Sequence, residues 1–570
     1  MSAARCCRGI IAGEQIRDTI DARSARPAPK GWRDDLNSSE HWDYIIVGAG
    51  AAGCVVAHRL AASGEHRVLL LEAGGSDDRL WIRVPAGFTK TLFDPRIGWG
   101  YANAPAPATG NRIIPCPRGR VLGGSSSING HLYVRGQALD YDGWAHGGAP
   151  GWGWGDVLPF FQRSETRPGG DPAVRGTQGP LHVADPRMQH PLCEAFLQSL
   201  QALGVPRNAD YNGGDQEGAG YYQYLIRHGR RWSAADAYLR PALSSSGLTV
   251  RQNAQAMGIV FEGQRAVGVR YRFGNELRTV RAAREVILAA GAINTPQLLQ
   301  LSGVGDAALL SGLRIPVVLD APGVGEQLVD HYAVRIAARV RGAQSLNERS
   351  HGARLLLEVL KYATARQGIL ASAVAHAFGF VRVTPGADRP DLQLLFAPAS
   401  YEAGKMGQTG LEREPGLTCG ICQLRPESRG HVRIVSKDPL VAPQIQPNYL
   451  DDPRDREFVV RGVRFVRELF ATSPLAGLIA SETWPGAQVD TDAALEDFIR
   501  HNGSTVYHPV GSCRMGIDAG SPVDPLLRVK GLEGLRVIDA SVMPSMVSGN
   551  TYAATIMIAE KGAQHVLDAR

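Results

Sequence analysis

The chain has no apolar run approaching the roughly 18–20 residues of a bilayer-crossing helix. It has no lysine-rich stripe interleaved with aromatics, so no nucleic acid is expected as a partner. Aromatics make up only 7%, and 61 basic residues nearly balance 55 acidic ones. The resulting net charge of +6, spread over 570 residues, gives no strong steering field. A weak peripheral attraction to an anionic membrane surface stays open but is not demanded. Cysteines are few, and Cys419 and Cys422 form a lone CxxC without a second pair or a histidine pair at zinc spacing. No metal is therefore expected, and the thiols read as reduced structural residues of a cytoplasmic protein. Residues 1–40 contain no seven-residue apolar stretch, which excludes a secretory signal. Glu14, Asp18 and Asp21 argue against a transit peptide, so these residues read as an N-terminal extension.

Glycine, by contrast, is abundant at 67 residues, without a collagen period. Such an excess implies tight turns and close backbone approaches to a ligand. The folded chain is expected to open at Tyr44-Ile45-Ile46-Val47, a buried parallel strand. Gly48-Ala49-Gly50-Ala51-Ala52-Gly53 follows and fits GxGxxG. A helix and a second strand, Val68–Leu71, lead to Glu72, 72 − 53 = 19 residues on. Gly48 makes the turn, Gly50 admits a pyrophosphate, and Gly53 lets helix and strand close up. Glu72 can accept both ribose hydroxyls of an adenosine, which disfavours NADP but leaves NAD and FAD both open.

Two further segments are rich in small residues. Gly119–Gly130 includes Gly123, Gly124, Ser125–Ser127 and Asn129. Gly291–Gly305 follows the strand Val286–Ala290 and enters a helix with Pro296 expected near its first turn. These segments resemble the two signature patterns of the glucose–methanol–choline (GMC) oxidoreductase family. The opening motif and the C-terminal third match as well, over roughly residues 41–568. The nearest likeness is to choline dehydrogenases and FAD-dependent aliphatic alcohol dehydrogenases.

The resemblance implies FAD, oxidation of a CH–OH group, and an α/β fold. That fold is a Rossmann-like FAD-binding domain of the p-hydroxybenzoate hydroxylase type. An α+β substrate domain built on an antiparallel sheet is expected to interrupt it. The expected FAD-binding pieces are residues 41–165, 225–320 and 505–570, and the substrate pieces are 166–224 and 321–504. Strands are expected at Leu392–Phe396 and His431–Val435, and a mobile or helical lid at 341–368. Carried over residue by residue, the resemblance gives His508 as active-site base and Asn550 as its partner. Imidazole titrates near neutrality and suits the base role. It also gives Ala52, Ala73, Gly123, Asn129, Gly130, Ala256, Asp539, Ala540 and Thr551 as cofactor contacts beside Gly48, Gly50, Gly53 and Glu72. A helix from Thr551 to Val566 is expected to aim its N-terminus at the flavin.

Departures from the family narrow the reading. Some members link FAD covalently through a histidine where this chain has Ile128, so FAD is expected to be non-covalent. His376 occupies the position taken as the glutamate that faces choline in choline-oxidising members. Uncharged primary alcohols are therefore expected to be better substrates than choline. Leu424 stands before Arg425-Pro426 where the light-driven decarboxylase of the family has cysteine. His131, His182 and His331 read as structural. The expected partners are a small alcohol and an electron acceptor, a quinone or O2, with the dehydrogenase reading preferred. A non-redox flavoprotein lyase and an NAD-dependent or non-catalytic binding protein remain the alternatives. Oligomeric state is not readable.

Overall fold

The computed structural model describes residues 41–402 and 410–569. The N-terminal extension read at residues 1–40 lies outside the described residues. In chain order the main strands begin with β1 His41–Val47, β2 Val68–Leu71, β3 Gly218–Tyr221, β4 Leu248–Arg251, β5 Ala254–Glu262, β6 Arg265–Phe273 and β7 Glu276–Leu288. They continue with β8 Tyr332–Val340, β9 Ala377–Val381, β10 Leu392–Ala397, β11 Gly416–Gln423, β12 Ile479–Trp484, β13 Ser504–Thr505 and β14 Leu535–Val537. The helices used below are α1 Ala51–Ala61, α2 Gly291–Leu301, α3 Gly352–Ala365 and α4 Tyr552–Asp568.

One sheet runs β4–β2–β1–β7–β6–β5, with β14 beside β7. Its β4, β2, β1, β7 and β14 pair in parallel, whereas β5, β6 and β7 pair antiparallel. Ile45, Ile46, Leu69 and Leu70 are fully buried, as expected of a sheet covered on both faces. Each such side chain contributes about 1.5–3 kcal/mol. The second sheet runs β12–β8–β11–β10–β9–β3, with β13 beside β8, and is antiparallel throughout. The expected α/β core with a second, antiparallel sheet is therefore present.

The helix expected after GxGxxG is α1. It packs closely because an added Cβ at Gly53 would lie 1.8 Å from the Gly48 carbonyl oxygen. Helix α4 runs beside α1. The fully buried Glu560 of α4 joins them, pairing with Arg59 of α1 and Arg163 and accepting from the Tyr238 hydroxyl.

Two local expectations need correction. Pro296 lies in the interior of α2, which starts five residues earlier at Gly291. The missing N–H would leave the Ala292 carbonyl without its helical partner, and the Ser512 hydroxyl donates to that carbonyl instead, at 2.6 Å. The strand expected at His431–Val435 runs Gly430–Arg433 in a separate three-stranded sheet. The stretch 341–368, expected as a mobile or helical lid, contains the helix α3, on which Leu356, Leu357 and Leu360 are exposed (Leu356 at 71%).

Candidate active site

A cavity of about 340 Å³ lies against both sheets. One half is walled by Gly48, Gly50, Glu72, Ala73, Ala256 and Asp539, and the other by strand residues of β8, β10 and β11. Of the residues expected to touch a cofactor, Ala52, Asn129, Gly130, Ala540 and Thr551 also line it. Gly53 and Gly123 do not. Gly53 sits behind the wall where α1 meets the β1 turn. Gly123, at φ +83°, donates its N–H to the Ala49 carbonyl and so holds the Gly119–Gly130 loop against the GxGxxG turn.

The first half fits FAD. Gly48 has φ +101°, a conformation that favours glycine, and it turns the chain away from β1. Helix α1 starts with no side-chain cap and no acid in its first turn, which leaves its N–H groups to an anion. Helix α4 is equally bare, and its Thr551, Tyr552 and Thr555 reach the same cavity. Glu72 accepts from the backbone N–H groups of Ala49 and Gly74 at 2.9 and 2.8 Å, which orients its carboxyl. Burial pushes that carboxyl up to about 7, against the pull of those N–H groups. Asp539 accepts from Gly291 N–H at 2.8 Å and from the Thr295 hydroxyl at 2.6 Å, fixing the start of α2. Ile128 stands in the wall and offers no nucleophile.

The second half carries the acid–base groups. Backbone pairing between Val329 and Val510, and from Val506 N–H to the His331 carbonyl, lays residues 506–510 beside 329–331. Pro509 holds His508 out of helical conformation, and Tyr507 before it has φ +70°, a sparsely populated region typical of functional turns. Asp330 accepts from the His508 and His331 N–H groups at 2.7 and 2.9 Å. It also accepts from the hydroxyls of Thr505, at 2.6 Å, and Tyr449.

A chain of hydrogen bonds fixes the tautomer of His508. The Leu424 carbonyl can only accept, so His331 Nε2 carries a proton and donates to it at 3.0 Å. His331 Nδ1 is then a lone pair and accepts from His508 Nδ1 at 3.1 Å. His508 Nε2 is consequently the unprotonated nitrogen, and it accepts from Asn550 Nδ2 at 3.1 Å. Gln393 Nε2 donates to Asn550 Oδ1 at 3.2 Å and so sets the amide's orientation. Burial, with lesser effects from His331 and Arg118, holds His508 well below the ordinary histidine range. Burial likewise pushes His331 down to about 4. Both rings are neutral near pH 7.

His508 and Asn550 thus lie together on the cavity as the motifs implied. His331, read as structural, is the direct hydrogen-bond partner of His508. Asp330, Gln393 and the Leu424 carbonyl were missed. The Asp330-His331 dipeptide was the available signal. His376 is a correction: it is buried, neither ring nitrogen has a hydrogen-bond partner among the described residues, and it does not line the cavity. Its neighbours Val374 and Ala375 do, so the wall lacks a carboxylate there for a different reason. His131 also reaches the wall, with Nε2 3.0 Å from the Pro85 carbonyl.

Residues 42–333 and 426–559 match the family described as GMC oxidoreductase. The chain is 41% identical to the alcohol dehydrogenase [acceptor] of Pseudomonas putida over 531 residues, 92% of this chain and 96% of that one. It is 40% identical to the mitochondrial choline dehydrogenase of Homo sapiens over 565 residues, 98% and 93% of the two chains. Among solved structures, pyridoxine 4-oxidase from Mesorbium loti superposes with a TM-score of 0.84 at 29% identity, covering 93% of this chain and 100% of that one. The chain belongs to the GMC oxidoreductase family and is an FAD-dependent oxidoreductase acting on CH–OH donors.

Proposed function

We propose that the chain oxidises a primary alcohol to the aldehyde, with His508 as the base. The observation that carries this is the unprotonated His508 Nε2 at the cavity, whose lone pair accepts from the Asn550 amide N–H alone among the described residues. A substrate hydroxyl placed between them donates to Nε2 and accepts from Asn550 Nδ2. His331 keeps the proton on Nδ1, so Nε2 stays available for the alcohol proton. When bound, FAD supplies the acceptor for the carbinol hydride. Gly48, Gly50, Glu72 and the N-termini of α1 and α4 would hold it, without a covalent link at Ile128. The acceptor that takes the electrons onward is a quinone or another small oxidant, in keeping with the name of the Pseudomonas putida relative.

We also place the enzyme at the surface of an anionic membrane, through the outward leucines of α3. The experiment is an anaerobic titration of purified holoenzyme with an alcohol panel, read by bleaching of flavin absorbance. Turnover is then compared with oxygen and with a dye acceptor. Bleaching by an alcohol, with flavin released into the supernatant by acid, is the expected result. Absence of bleaching overturns the reaction, and flavin that stays with the precipitated chain overturns non-covalent binding.

A further inference from the structure

The substrate half of the cavity contains a cation that the proton chemistry leaves unused. Residues of β8 alternate, so Val334 and Ile336 enter the core while Ala333 and Arg335 reach the cavity. Gly420 of β11 lies opposite Arg335 in the ladder and adds no side chain to cover it. Around it the wall is largely apolar, with Leu395 and Ala397 of β10. Arg335 has no ion pair and no hydrogen bond among the described residues. Arg339, two turns of the pleat further along the same strand, pairs with Glu412 and Glu414.

Among the described residues, no other group in the cavity answers that charge. The acids in its wall are Glu72 and Asp539, and both already accept two or more hydrogen bonds in the other half. The second cation of that half, Arg118, donates to the carbonyls of Pro117 and Tyr507. The Arg335 charge is felt by the Tyr401 and Tyr507 phenols, so it sits next to the segment that carries His508. A guanidinium in a mostly apolar recess without a counter-ion is costly unless a ligand brings one. Its planar fork of donors matches a carboxylate, and one cation balances one negative charge.

We infer that Arg335 binds a carboxylate on the substrate, so that the preferred alcohols are hydroxy acids with the carbinol at His508 and the carboxylate at Arg335. The same residue repels a quaternary ammonium, which finds no free carboxylate in this half of the cavity. The inference rests on the alcohol-oxidising reading and names its substrate class.

The test uses purified holoenzyme with a dye acceptor and a series of ω-hydroxyalkanoates, the 1-alkanols of equal length, and choline. A charge-assisted contact of this kind predicts kcat/KM about 10- to 100-fold higher for the hydroxy acid than for its alkanol. In Arg335→Gln that ratio falls to about one, chiefly through KM, and Arg335→Lys recovers part of it. Isothermal titration with the plain alkanoate, which has no hydroxyl to oxidise, gives the second readout. It should bind the wild type at least tenfold tighter than Arg335→Gln. Alkanols oxidised as well as hydroxy acids, or choline oxidised better than either, overturn the inference and leave the alcohol reaction standing. If no alcohol is oxidised, the functional reading fails first. Equal alkanoate binding by wild type and Arg335→Gln then overturns the role of Arg335 as well.

Discussion

At the scale of single residues, the site turns on which nitrogen of His508 is bare. A positioned base contributes about 10²–10⁴ in rate. His508→Ala should lower the anaerobic flavin-reduction rate by that order while the protein keeps its FAD, because Gly48, Gly50 and Glu72 lie in the other half of the cavity. A near-normal rate per bound flavin would remove His508 from the reaction. The pH profile adds a sign. The base works when neutral, and burial depresses its titration well below the ordinary value near 6.5. The reduction rate should therefore stay level from pH 8 through 6.5 and fall only in more acid solution. An inflection at 6.5 would mean an ordinary solvated histidine. His508 and Asn550 were legible because each sits in a local motif. His331 was not, because its contact with His508 spans 177 residues. His376 was misplaced for another reason. A strand shows alternate faces, so an uncertainty of one residue in position reverses what faces the cavity.

At the scale of elements, GxGxxG, its flanking strands and α4 could be read from period and punctuation. Helix α3 falls where a mobile or helical lid was expected, but its polarity, inverted from the usual, was not readable. Its buried side chains include Glu358 and Tyr362, four apart, while Leu356, Leu357, Val359 and Leu360 are exposed. Glu358 explains the inversion, since it binds Arg349, Lys361 and the Ile369 N–H. The hairpin at Arg227–Arg230 packs on the helix end, where Tyr362 donates to the Gly229 carbonyl. The turn Leu80–Arg83, with Leu80 and Trp81 outward, lies next to that hairpin. Arg79, Arg227, Arg230, Arg354, Lys361 and Arg366 accompany these apolar side chains, and the exposed acid Asp78 is paired with Arg83. Leucines with cations and a tryptophan suit the interface of an anionic bilayer. Holoenzyme should co-sediment with phosphatidylglycerol vesicles, less with phosphatidylcholine, and less in high salt. Leu356→Ser with Leu360→Ser should lower the bound fraction about tenfold or more, since each buried leucine is worth about 1.5–3 kcal/mol. Turnover of a soluble alcohol should not change. Unaltered vesicle binding, or a dimer that dissociates in the variant instead, would sink this assignment.

At the scale of the whole molecule, the two sheets draw on interleaved stretches of chain, and the cavity exists only where they meet. The expectation of a Rossmann-like FAD-binding domain interrupted by an antiparallel substrate sheet came from recognising motifs, since pairings such as β1 with β7 cross more than 200 residues. A consequence of that burial is a charge balance that no local window displays. His131, His331, His376 and His508 are all held neutral by burial, His331 down to about 4 and His376 down to about 3. On unfolding they regain values near 6.5, so the unfolded chain binds up to four more protons below that pH. Glu72, Asp330 and Asp539 oppose this, because burial raises them and the folded chain binds at most three more protons there. Four depressed histidines against three raised carboxyls leave net proton uptake on unfolding as pH falls below about 6.5. Stability is full above 6.5 and is lost as pH falls toward the folded histidine values, by about 1.4 kcal/mol per pH unit for each net proton taken up. His190 and His565, each also pushed down to about 4, add to the same slope. Thermal midpoints of the holoenzyme in excess FAD should fall steadily from pH 7 to pH 5. A flat or rising midpoint over that range would show that the buried carboxyls, rather than the buried histidines, set the acid response of the fold.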